Sequence, residues 1–252
     1  MKSFTLFISS LLVGLGLVGC GGGGGEVTAT VRIDGGVVTT LAGTAGGSGG
    51  SADGTGAAAS FNAPTGVAVD SSGNVYVADS ENHTIRKITA AGVVSTFTGT
   101  GSVGRLDGTG SAASFRYPFG VAVDSIGNVY VADYYNSTIR KITAAGVVST
   151  FAGTGSVGRL DGTGSAASFY YPYGVAVDSS GNVYVADTFN NTIRKITSAG
   201  VVSTLAGTAG STGSTDDTGA AASFRYPSGV AVDSSGNVYV ADQLNHTIRK
   251  IE

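Results

Sequence analysis

The sequence is poor in several residue types, and each shortage removes a class of protein. Its 252 residues include no tryptophan, one cysteine, four prolines and two histidines, and the single methionine is the initiator. One cysteine excludes an intramolecular disulfide. Two histidines are too few for the common zinc sites, which need three or four ligands. Charged residues make up 12% and hydrophobic residues 42%, a balance that disfavours a disordered chain.

Glycine is abundant instead, with 42 residues. The glycines lack the every-third-residue spacing of collagen. So much glycine, with so little leucine, glutamate and lysine, also disfavours a long helical bundle. The composition therefore predicts an all-β chain with many turns, in the size range of one barrel, sandwich or propeller domain.

The N-terminus has the features of an export signal. A positive charge at Lys2 precedes an apolar run over residues 4–18, which is short for a membrane span of about 20 residues but suits a signal peptide. The run ends in Leu17-Val18-Gly19-Cys20, which resembles the bacterial lipobox. In that family the signal is cleaved before the cysteine, whose thiol then carries a diacylglyceryl group. The resemblance predicts a signal peptide over residues 1–19 and lipidation of Cys20.

Residues 20–35 then form a glycine-rich tether that includes a leftover strand-like segment, and residues 36–252 form the folded domain. Lipidation predicts a protein held outside the cytoplasm in the cell envelope, in contact with the membrane through its lipid anchor only. No aspartate follows Cys20, which favours the outer membrane where the envelope has two membranes. The alternative is a chance cysteine at the end of an ordinary signal peptide.

Everything after the tether is built from an internal repeat. The motif Gly-Val-Ala-Val-Asp occurs four times, with its aspartates at steps of 54, 54 and 55 residues. Each copy continues with Gly-Asn-Val-Tyr-Val-Ala-Asp and Asn-x-Thr-Ile-Arg-Lys-Ile, and the first three are followed by Gly-Val-Val-Ser-Thr. These are four strand-sized segments separated by turn residues, and Ser71-Ser72-Gly73-Asn74 predicts a hairpin turn.

Repeats of four short strands with roughly this period are typical of β-propellers. The amino-acid sequence of the motif resembles the NHL repeat, which is named after an Asn-His-Leu tripeptide. At that site the copies read Asn82-His83-Thr84, Asn136-Ser137-Thr138, Asn190-Asn191-Thr192 and Asn245-His246-Thr247, so threonine replaces leucine throughout. The resemblance covers residues 36–252 and implies an all-β propeller of NHL type. Rings of this family more often have six blades.

The phase of the repeat bears on the number of blades. Residues 36–43 match the fourth strand at residues 200–207, whereas the last repeat reaches only its third strand. We therefore predict four blades, closed by pairing of the N- and C-terminal strands, an arrangement that hides the sheet edges. The segment Thr-Val-Arg-Ile at residues 30–33 resembles a further third strand, either the remnant of a fifth blade or an added edge strand. An open arc that pairs with a second chain, or part of a six-bladed ring, is the alternative.

The repeats differ mainly in the loops between second and third strands and in the linkers between blades, which are predicted to share one face. Tyrosine and arginine, which are enriched at interfaces, are common there. The alternative explanation is drift in exposed loops. The candidate binding face comprises Arg116, Tyr117, Phe119, Tyr134, Tyr135, Tyr170, Tyr171, Tyr173, Phe189, Arg225, Tyr226 and Leu244.

Residues that recur in every repeat are predicted to be structural. Phenylalanines before the inner strand are expected to fill the gap between neighbouring blades. The first aspartate of each repeat is expected to bond the hairpin turn, and the second to bond the next turn beside an arginine. A calcium site built from Asp53, Asp107, Asp161 or Asp216 is conceivable, although the spacing does not match an EF-hand. The phenylalanines are Phe61, Phe115, Phe169 and Phe224.

Catalytic and nucleic-acid chemistry finds little support in the sequence. His83 and His246 are expected on adjacent blades, too far apart for a metal site, and no Ser-His-Asp set can be assembled. Eight of the 14 basic residues belong to the repeated Arg-Lys pairs, and the isoelectric point is about 5.3, so a concentrated basic face is missing. We therefore expect no metal, no other cofactor and no nucleic-acid partner.

The leading hypothesis is a non-enzymatic binding or scaffold module that contacts a protein, peptide or glycan of the cell envelope through the variable loops. Some propellers related to the NHL family are lyases or hydrolases that use a metal with several histidines or acidic residues. An enzyme of that type, acting in the central channel, is therefore the alternative function. A third possibility is a fragment of a larger propeller, which the near-identity of the repeats leaves open.

Overall fold

Strands account for most of the regular structure in residues 36–252, the part of the chain that the computed structural model describes. The predicted signal peptide, the lipidation site at Cys20 and the tether lie outside the described residues. Residues Thr39–Glu252 form one compact unit. Within the described part of the chain, no helix is long and apolar enough to span a membrane.

Four antiparallel sheets follow one another along the chain, one for each repeat, so the predicted all-β, four-bladed propeller arrangement is confirmed. The first three sheets have five strands each, and the fourth has three. The first blade contains β1 (Gly54–Thr55), β2 (Pro64–Val69), β3 (Val75–Asp79), β4 (Thr84–Ile88) and β5 (Val93–Thr98). The second contains β6 (Gly108–Thr109), β7 (Pro118–Val123), β8 (Val129–Asp133), β9 (Thr138–Ile142) and β10 (Val147–Ala152). The third contains β11 (Gly162–Thr163), β12 (Val175–Val177), β13 (Val183–Asp187), β14 (Thr192–Ile196) and β15 (Val201–Ala206). The fourth contains β16 (Pro227–Val232), β17 (Val238–Asp242) and β18 (Thr247–Ile251).

Short 3₁₀ helices connect these strands at two recurring places. One set follows the short edge strand or its equivalent, at Gly56–Ala58, Gly110–Ala112, Gly164–Ala166 and Gly219–Ala221. The other set lies between the second and third long strands, at Ser80–Asn82, Tyr134–Asn136, Thr188–Asn190 and Gln243–Asn245. Each helix of the second set ends at a residue in the left-handed conformation, such as His83 with φ 53° and Asn191 with φ 57°. Asparagine and histidine are among the side chains that tolerate this conformation best, and they occupy the middle position of the Asn-x-Thr motif in three blades, whereas the second blade has Ser137 there with φ 52°.

The predicted hairpin turns are present and are fixed by the first aspartate of each repeat. The Asp70 carboxylate accepts hydrogen bonds from the backbone N–H groups of Ser72 and Asn74, both at 2.9 Å, and from the Asn74 side chain at 2.8 Å. The Tyr76 hydroxyl donates to the same carboxylate at 3.3 Å. Equivalent bonds form around Asp124, Asp178 and Asp233, so this prediction is confirmed.

Inner strands of successive blades pack directly on one another, β2 on β7, β7 on β12 and β12 on β16. This approach depends on the glycine of Gly-Val-Ala-Val. A Cβ atom at Gly66 would collide with the backbone carbonyl of Phe119, and one at Gly120 would collide with that of Tyr173. The small inner strand is therefore required by the closeness of neighbouring blades.

The hydrophobic core lies between blades. Tyr76 and Ile85 of the first blade pack in one cluster with Phe115, Val121 and Val129 of the second. Fully buried aromatic side chains of this size contribute about 1.5–3 kcal/mol each. Phe169 and Phe224 occupy the equivalent positions at the next two junctions and are buried as well, so three of the predicted gap-filling phenylalanines are confirmed.

The arc formed by residues 36–252 does not close on itself. Residues 36–43 form no strand, and the fourth sheet keeps three strands, so the predicted completion of the last blade by the N-terminal strand is not formed. Ile248 on the last blade is 75% exposed, whereas its counterpart Ile85 is fully buried. The Gly43 N–H donates to the Gly56 carbonyl at 3.0 Å, the same bond that Gly99 and Gly153 make to their following blades, so this end of the segment lies beside the first blade. The open arc, the alternative drawn from the sequence, describes this structure.

Candidate functional site

Nine aromatic side chains form one continuous surface network, which we call the aromatic platform. Successive ring centroids within it lie 4.6 to 6.5 Å apart, the range of favourable aromatic contacts. All nine belong to the predicted binding face, and all are half-buried or exposed. The platform consists of Tyr117, Phe119, Tyr134, Tyr135, Tyr170, Tyr171, Tyr173, Phe189 and Tyr226.

Tyr134 lies at the centre of the platform. Its ring stacks on Tyr171 with centroids 5.0 Å apart, and it meets Phe119 and Tyr135 edge-on at 4.6 and 4.8 Å. Burial, reinforced by the neighbouring phenols, raises the pKa of Tyr134 to about 12, so this hydroxyl stays protonated at neutral pH. Phe119 in turn stacks on Tyr173 at 4.8 Å. The second and third blades thus share one aromatic surface.

The backbone beneath the platform does not require aromatic side chains. Tyr117, Tyr171 and Tyr226 precede the proline of the inner strand and have φ values of 54°, 51° and 53°. Ala63 occupies the same position in the first blade with φ 49°. A non-glycine residue in this region is uncommon. Because the first blade adopts the same conformation with alanine, the tyrosines contribute surface rather than backbone geometry.

A buried ion-pair network holds the loops that carry the platform. The Asp133 carboxylate accepts hydrogen bonds from the backbone N–H of Arg116 at 2.7 Å and from the side chains of Asn136 and Arg140 at 2.8 Å. Arg140 also donates to Asp107 at 2.7 Å, and its guanidinium lies over the Phe115 ring. Burial raises the pKa of Asp133 to about 6, in spite of the adjacent guanidinium. The predicted pairing of this aspartate with the arginine is confirmed.

The same ion-pair network recurs in every blade, and it includes the aspartates that the sequence suggested as calcium ligands. The aspartates proposed as calcium ligands each form an ion pair with the arginine of their own blade instead. A cation bound there would face a guanidinium, which opposes binding by charge repulsion. In residues 36–252 the structure contains no cluster of three or more metal-ligating side chains. The four pairs are Arg86–Asp53, Arg140–Asp107, Arg194–Asp161 and Arg249–Asp216.

Neighbouring blades are also joined at the margin of the platform, by a contact that the sequence analysis missed. The Nδ1 atom of His83 accepts a hydrogen bond from the backbone N–H of Tyr117 in the next blade at 3.3 Å, and the two rings are 4.6 Å apart. At the junction of the third and fourth blades, Asn191 Oδ1 accepts from the backbone N–H of Tyr226 at 2.9 Å. The sequence signal that could have revealed this contact is a side chain able to accept a hydrogen bond at the middle position of the Asn-x-Thr motif.

Protonation of His83 is expected to weaken this junction. Burial lowers the pKa of His83, with Glu81 opposing and Arg116 adding to the effect. Because the folded pKa lies below that of the unfolded chain, His83 favours folding above about pH 6.5, and this contribution is lost as the pH falls. We expect His83→Asn, which copies Asn191, to reduce the acid sensitivity of the urea midpoint between pH 7.5 and 5. Asp133 and Asp187 titrate in the wild type and in the variant alike, so their effect cancels in the comparison. An identical pH dependence of the two urea midpoints would therefore contradict the role of His83 at this junction.

Three of the predicted face residues lie outside the ring network. Arg116 adjoins it, with its guanidinium over Tyr135 at 5.5 Å. Arg225 and Leu244 are exposed on the last blade, where the Leu244 N–H donates to the Arg225 carbonyl at 3.1 Å. Beside the platform lies a cavity of about 590 Å³ whose walls include Arg116, Tyr117 and Glu81. Glu81 was missed because the candidate face was chosen from the second, third and fourth repeats, whereas Glu81 belongs to the first.

The central channel has an apolar and hydroxyl lining. Its cavity of about 260 Å³ is bounded by the inner-strand glycines and valines together with Thr65, Phe119, Tyr173 and Ser228. No histidine, carboxylate, lysine or arginine of residues 36–252 contributes to this lining. The alternative of a lyase or hydrolase in the channel therefore has no converging ionisable groups here on which to draw.

Comparison with family models agrees with this architecture. The model described as "NHL repeat" matches residues 61–88, 115–142 and 224–251, which are the inner three strands of three blades with their linker ends. The chain contains NHL repeats. A model described as "Teneurin NHL domain" matches residues 158–219, which cover the third repeat.

Curated relatives also carry the name of the repeat. NHL repeat-containing protein 2 of Bos taurus is 31% identical over 236 residues, which cover 79% of this chain and 32% of the relative. Protein SUPPRESSOR OF QUENCHING 1 of Arabidopsis thaliana is 33% identical over 148 residues, which cover 54% of this chain and 14% of the relative. The NHL-repeat chain therefore spans a third or less of these two proteins.

A solved structure shares the fold. A protein of unknown function from Bacteroides thetaiotaomicron superimposes with a TM-score of 0.63 and 27% sequence identity, over 74% of this chain and 46% of that one. The NHL-repeat arc thus corresponds to about half of that protein.

Proposed function

We propose that this NHL-repeat protein is a non-enzymatic interaction module that binds a partner protein through its aromatic platform, and that lipidation of Cys20 holds it at the envelope membrane. The observation that carries the binding proposal is the platform itself. Nine rings from three blades are joined on one surface, although the first blade shows that the fold needs none of them.

The chemistry of the platform suits an extended peptide segment. Aromatic-lined surfaces accept proline-rich and aromatic segments, whose preformed extended conformation loses little entropy on binding. Tyrosine and arginine are also the side chains that dominate interface energies. Arg116 over Tyr135 and the exposed Glu81 place one charge of each sign at the margin, where they can orient a bound segment.

The first blade supplies the variant that tests the proposal. Tyr117→Ala, Phe119→Thr, Tyr134→Ser and Tyr135→Glu together give the second blade the residues that the first blade has at the same positions. Because that loop set already exists in a folded blade, we expect thermal stability to change little. Random peptide libraries selected on the wild type should yield proline-containing or aromatic sequences whose affinity falls at least tenfold on the variant, about 1.4 kcal/mol or more.

A matched control is Ile126→Ser, which removes an exposed apolar side chain from the hairpin end and copies the serine of the other repeats. It should bind the selected peptides as the wild type does. Peptides that bind the four-residue variant equally well would contradict the role of the platform. Binding of envelope glycans but of no peptide, measured on a glycan array, would contradict a protein partner.

The lipid anchor is tested separately from the platform. Cys20→Ser removes the thiol that would carry the diacylglyceryl group. In a bacterial host we expect the wild type in the membrane fraction, with the mass of a lipidated chain beginning at Cys20, and the variant in the soluble fraction. Several acyl chains at about 0.8 kcal/mol per methylene give stable anchoring. An unmodified wild type in the soluble fraction would contradict the anchor and leave the platform proposal intact.

A further inference from the structure

The two ends of the arc expose the two halves of an interface that the chain already forms internally. At the first internal junction, Ile85 and Tyr76 on the outgoing face of one blade pack against Val121 on the incoming face of the next. The last blade leaves its outgoing face open. Ile248 is 75% exposed, whereas its three counterparts are fully buried, and Tyr239 is exposed where its counterparts are buried.

The incoming face of the first blade is open in the same way. Val67 is 66% exposed, whereas Val121 and Val175 at the same position are 7% exposed. Phe61 is half-buried, whereas the phenylalanines at the internal junctions are buried. The two end faces are therefore apolar, and they carry the same residue types that meet at the internal junctions.

A groove borders the open face of the last blade. It has a volume of about 740 Å³ and is lined by β18, Leu205, Thr218 and Phe224. In the first three blades the position beside the third long strand is filled by β5, β10 or β15. In the described part of the chain no strand pairs with the outer edge of β18, so this edge offers its backbone groups and an apolar floor to a fourth strand.

The chain carries the sequence that fits this groove. Residues 36–43 read Gly-Val-Val-Thr-Thr-Leu-Ala-Gly, whereas residues 200–207, which contain β15, read Gly-Val-Val-Ser-Thr-Leu-Ala-Gly. The segment does not pair with β18 in this structure, and Gly43 bonds to the first blade as Gly99 and Gly153 bond to their following blades. The Ala42-Gly43 end of the segment thus lies beside the first blade, as the ends of β5 and β10 lie beside the second and third blades.

A polar contact is left open at the same ends. His83 and Asn191 accept the backbone N–H of the next blade at internal junctions, but His246 is exposed on the last blade. The equivalent donor is the N–H of Ala63, which shares the left-handed conformation of Tyr117 and Tyr226. The last blade therefore offers an apolar face, an open strand edge and a hydrogen-bond acceptor. The first-blade end offers the complementary apolar face, a matching strand sequence and a hydrogen-bond donor.

We propose that two copies of this chain join head to tail at both ends, closing a ring of eight blades. Residues 36–43 of each copy supply the fourth strand of the other copy's last blade. Contacts of this head-to-tail kind build closed rings where the rotation allows it and open filaments where it does not. Propellers have about four to eight blades. Residues 36–252 of each copy contribute four blades, so two copies together give eight, which lies within that range.

The proposed pairing has a defined register. By analogy with β14 and β15, where Lys195 is opposite Ser203, Thr39 of one copy lies opposite Lys250 of the other. Full-length chain with Cys20→Ser, Thr39→Cys and Lys250→Cys should therefore form, on oxidation, a covalent dimer linked by two disulfides. An intramolecular disulfide would give a monomer and overturn the proposal, since it would mean closure within one chain.

Solution mass provides the second measurement. Light scattering of the Cys20→Ser chain, whose monomer mass is close to 24.8 kDa, should give a discrete dimer. Ile248→Asp and Val67→Asp each place a charge on one end face, and we expect at least a tenfold increase in the dimer dissociation constant. Ile126→Asp, a charge on an exposed apolar residue away from both end faces, should leave the dimer intact. A monomer, an open series of oligomers, or a dimer insensitive to both end-face variants would overturn the proposal.

Discussion

Replacing Arg194 by methionine is expected to destabilise the protein by about 3–5 kcal/mol, the cost of breaking a buried ion pair on one side. Arg194 donates to the buried carboxylate of Asp187 at 2.8 Å and to the carbonyls of Ser168 and Leu160 at 3.1 and 2.9 Å. Methionine fills a similar volume but donates no hydrogen bond. The loss would therefore leave the buried Asp187 without its main partner, so at neutral pH the carboxyl must either stay charged and unpaired or take up a proton.

The pH dependence of this variant distinguishes an electrostatic loss from a packing loss. Burial raises the pKa of Asp187 to about 6 with Arg194 present, and removal of the arginine moves it higher still. A carboxyl whose folded pKa is raised loses stability as the pH rises through its titration range. In urea unfolding, the gap between wild type and Arg194→Met should widen from pH 5 to pH 8. A constant gap would contradict this account.

Two companion variants complete the experiment. Adding Asp187→Asn to Arg194→Met removes the buried charge and should recover part of the lost stability, as expected when both members of a buried pair are replaced. Arg159→Met removes an exposed arginine whose side chain makes, within residues 36–252, one long hydrogen bond of 3.5 Å to the Ala209 carbonyl. That change should lie within about 0.5 kcal/mol of the wild type.

Replacing Phe169 by alanine is expected to cost about 3–5 kcal/mol, the usual range for a large aromatic side chain in a packed core. Phe169 is fully buried between the second and third blades and carries the Arg194 guanidinium over its ring at 5.1 Å. Both the apolar contacts and the cation–π contact would be lost. Phe169→Leu keeps most of the volume and should cost clearly less. Equal losses for the two variants would indicate that the site depends on the ring rather than on its volume.

Sequence reasoning succeeded where a structural cause lies within one repeat. The hairpin at Ser71-Ser72-Gly73-Asn74 and its bonds to Asp70 follow from local turn chemistry, and the structure contains them in all four blades. The pairing of Asp133 with Arg140 follows from their recurrence at a constant spacing. The second partner, Asp107, was assigned to a conceivable calcium site because 33 residues of sequence separate it from Arg140 and only the fold brings the two together.

The platform was predicted from differences among repeats, and its assembly was not. Variation at Tyr134 and Tyr171 indicated a surface, but only the structure shows their rings stacked across a blade boundary. Whether the four blades close into a ring could not be predicted either, because closure also depends on packing between blades. Matching residues 36–43 to a fourth strand identifies a possible partner for β18, whereas the meeting of two distant ends depends on the angle between blades, which side-chain packing determines.

The close approach of the inner strands restricts how this molecule can diversify. A side chain at Gly66 or Gly120 would strike the backbone of the following blade, so these channel positions are closed to nearly every mutation. The residue just before each glycine also reaches the channel mouth and is free to vary, and it reads Thr65, Phe119, Tyr173 and Ser228 along the chain. New chemistry on the axis must therefore arise at four positions, one per repeat, where natural variation already occurs.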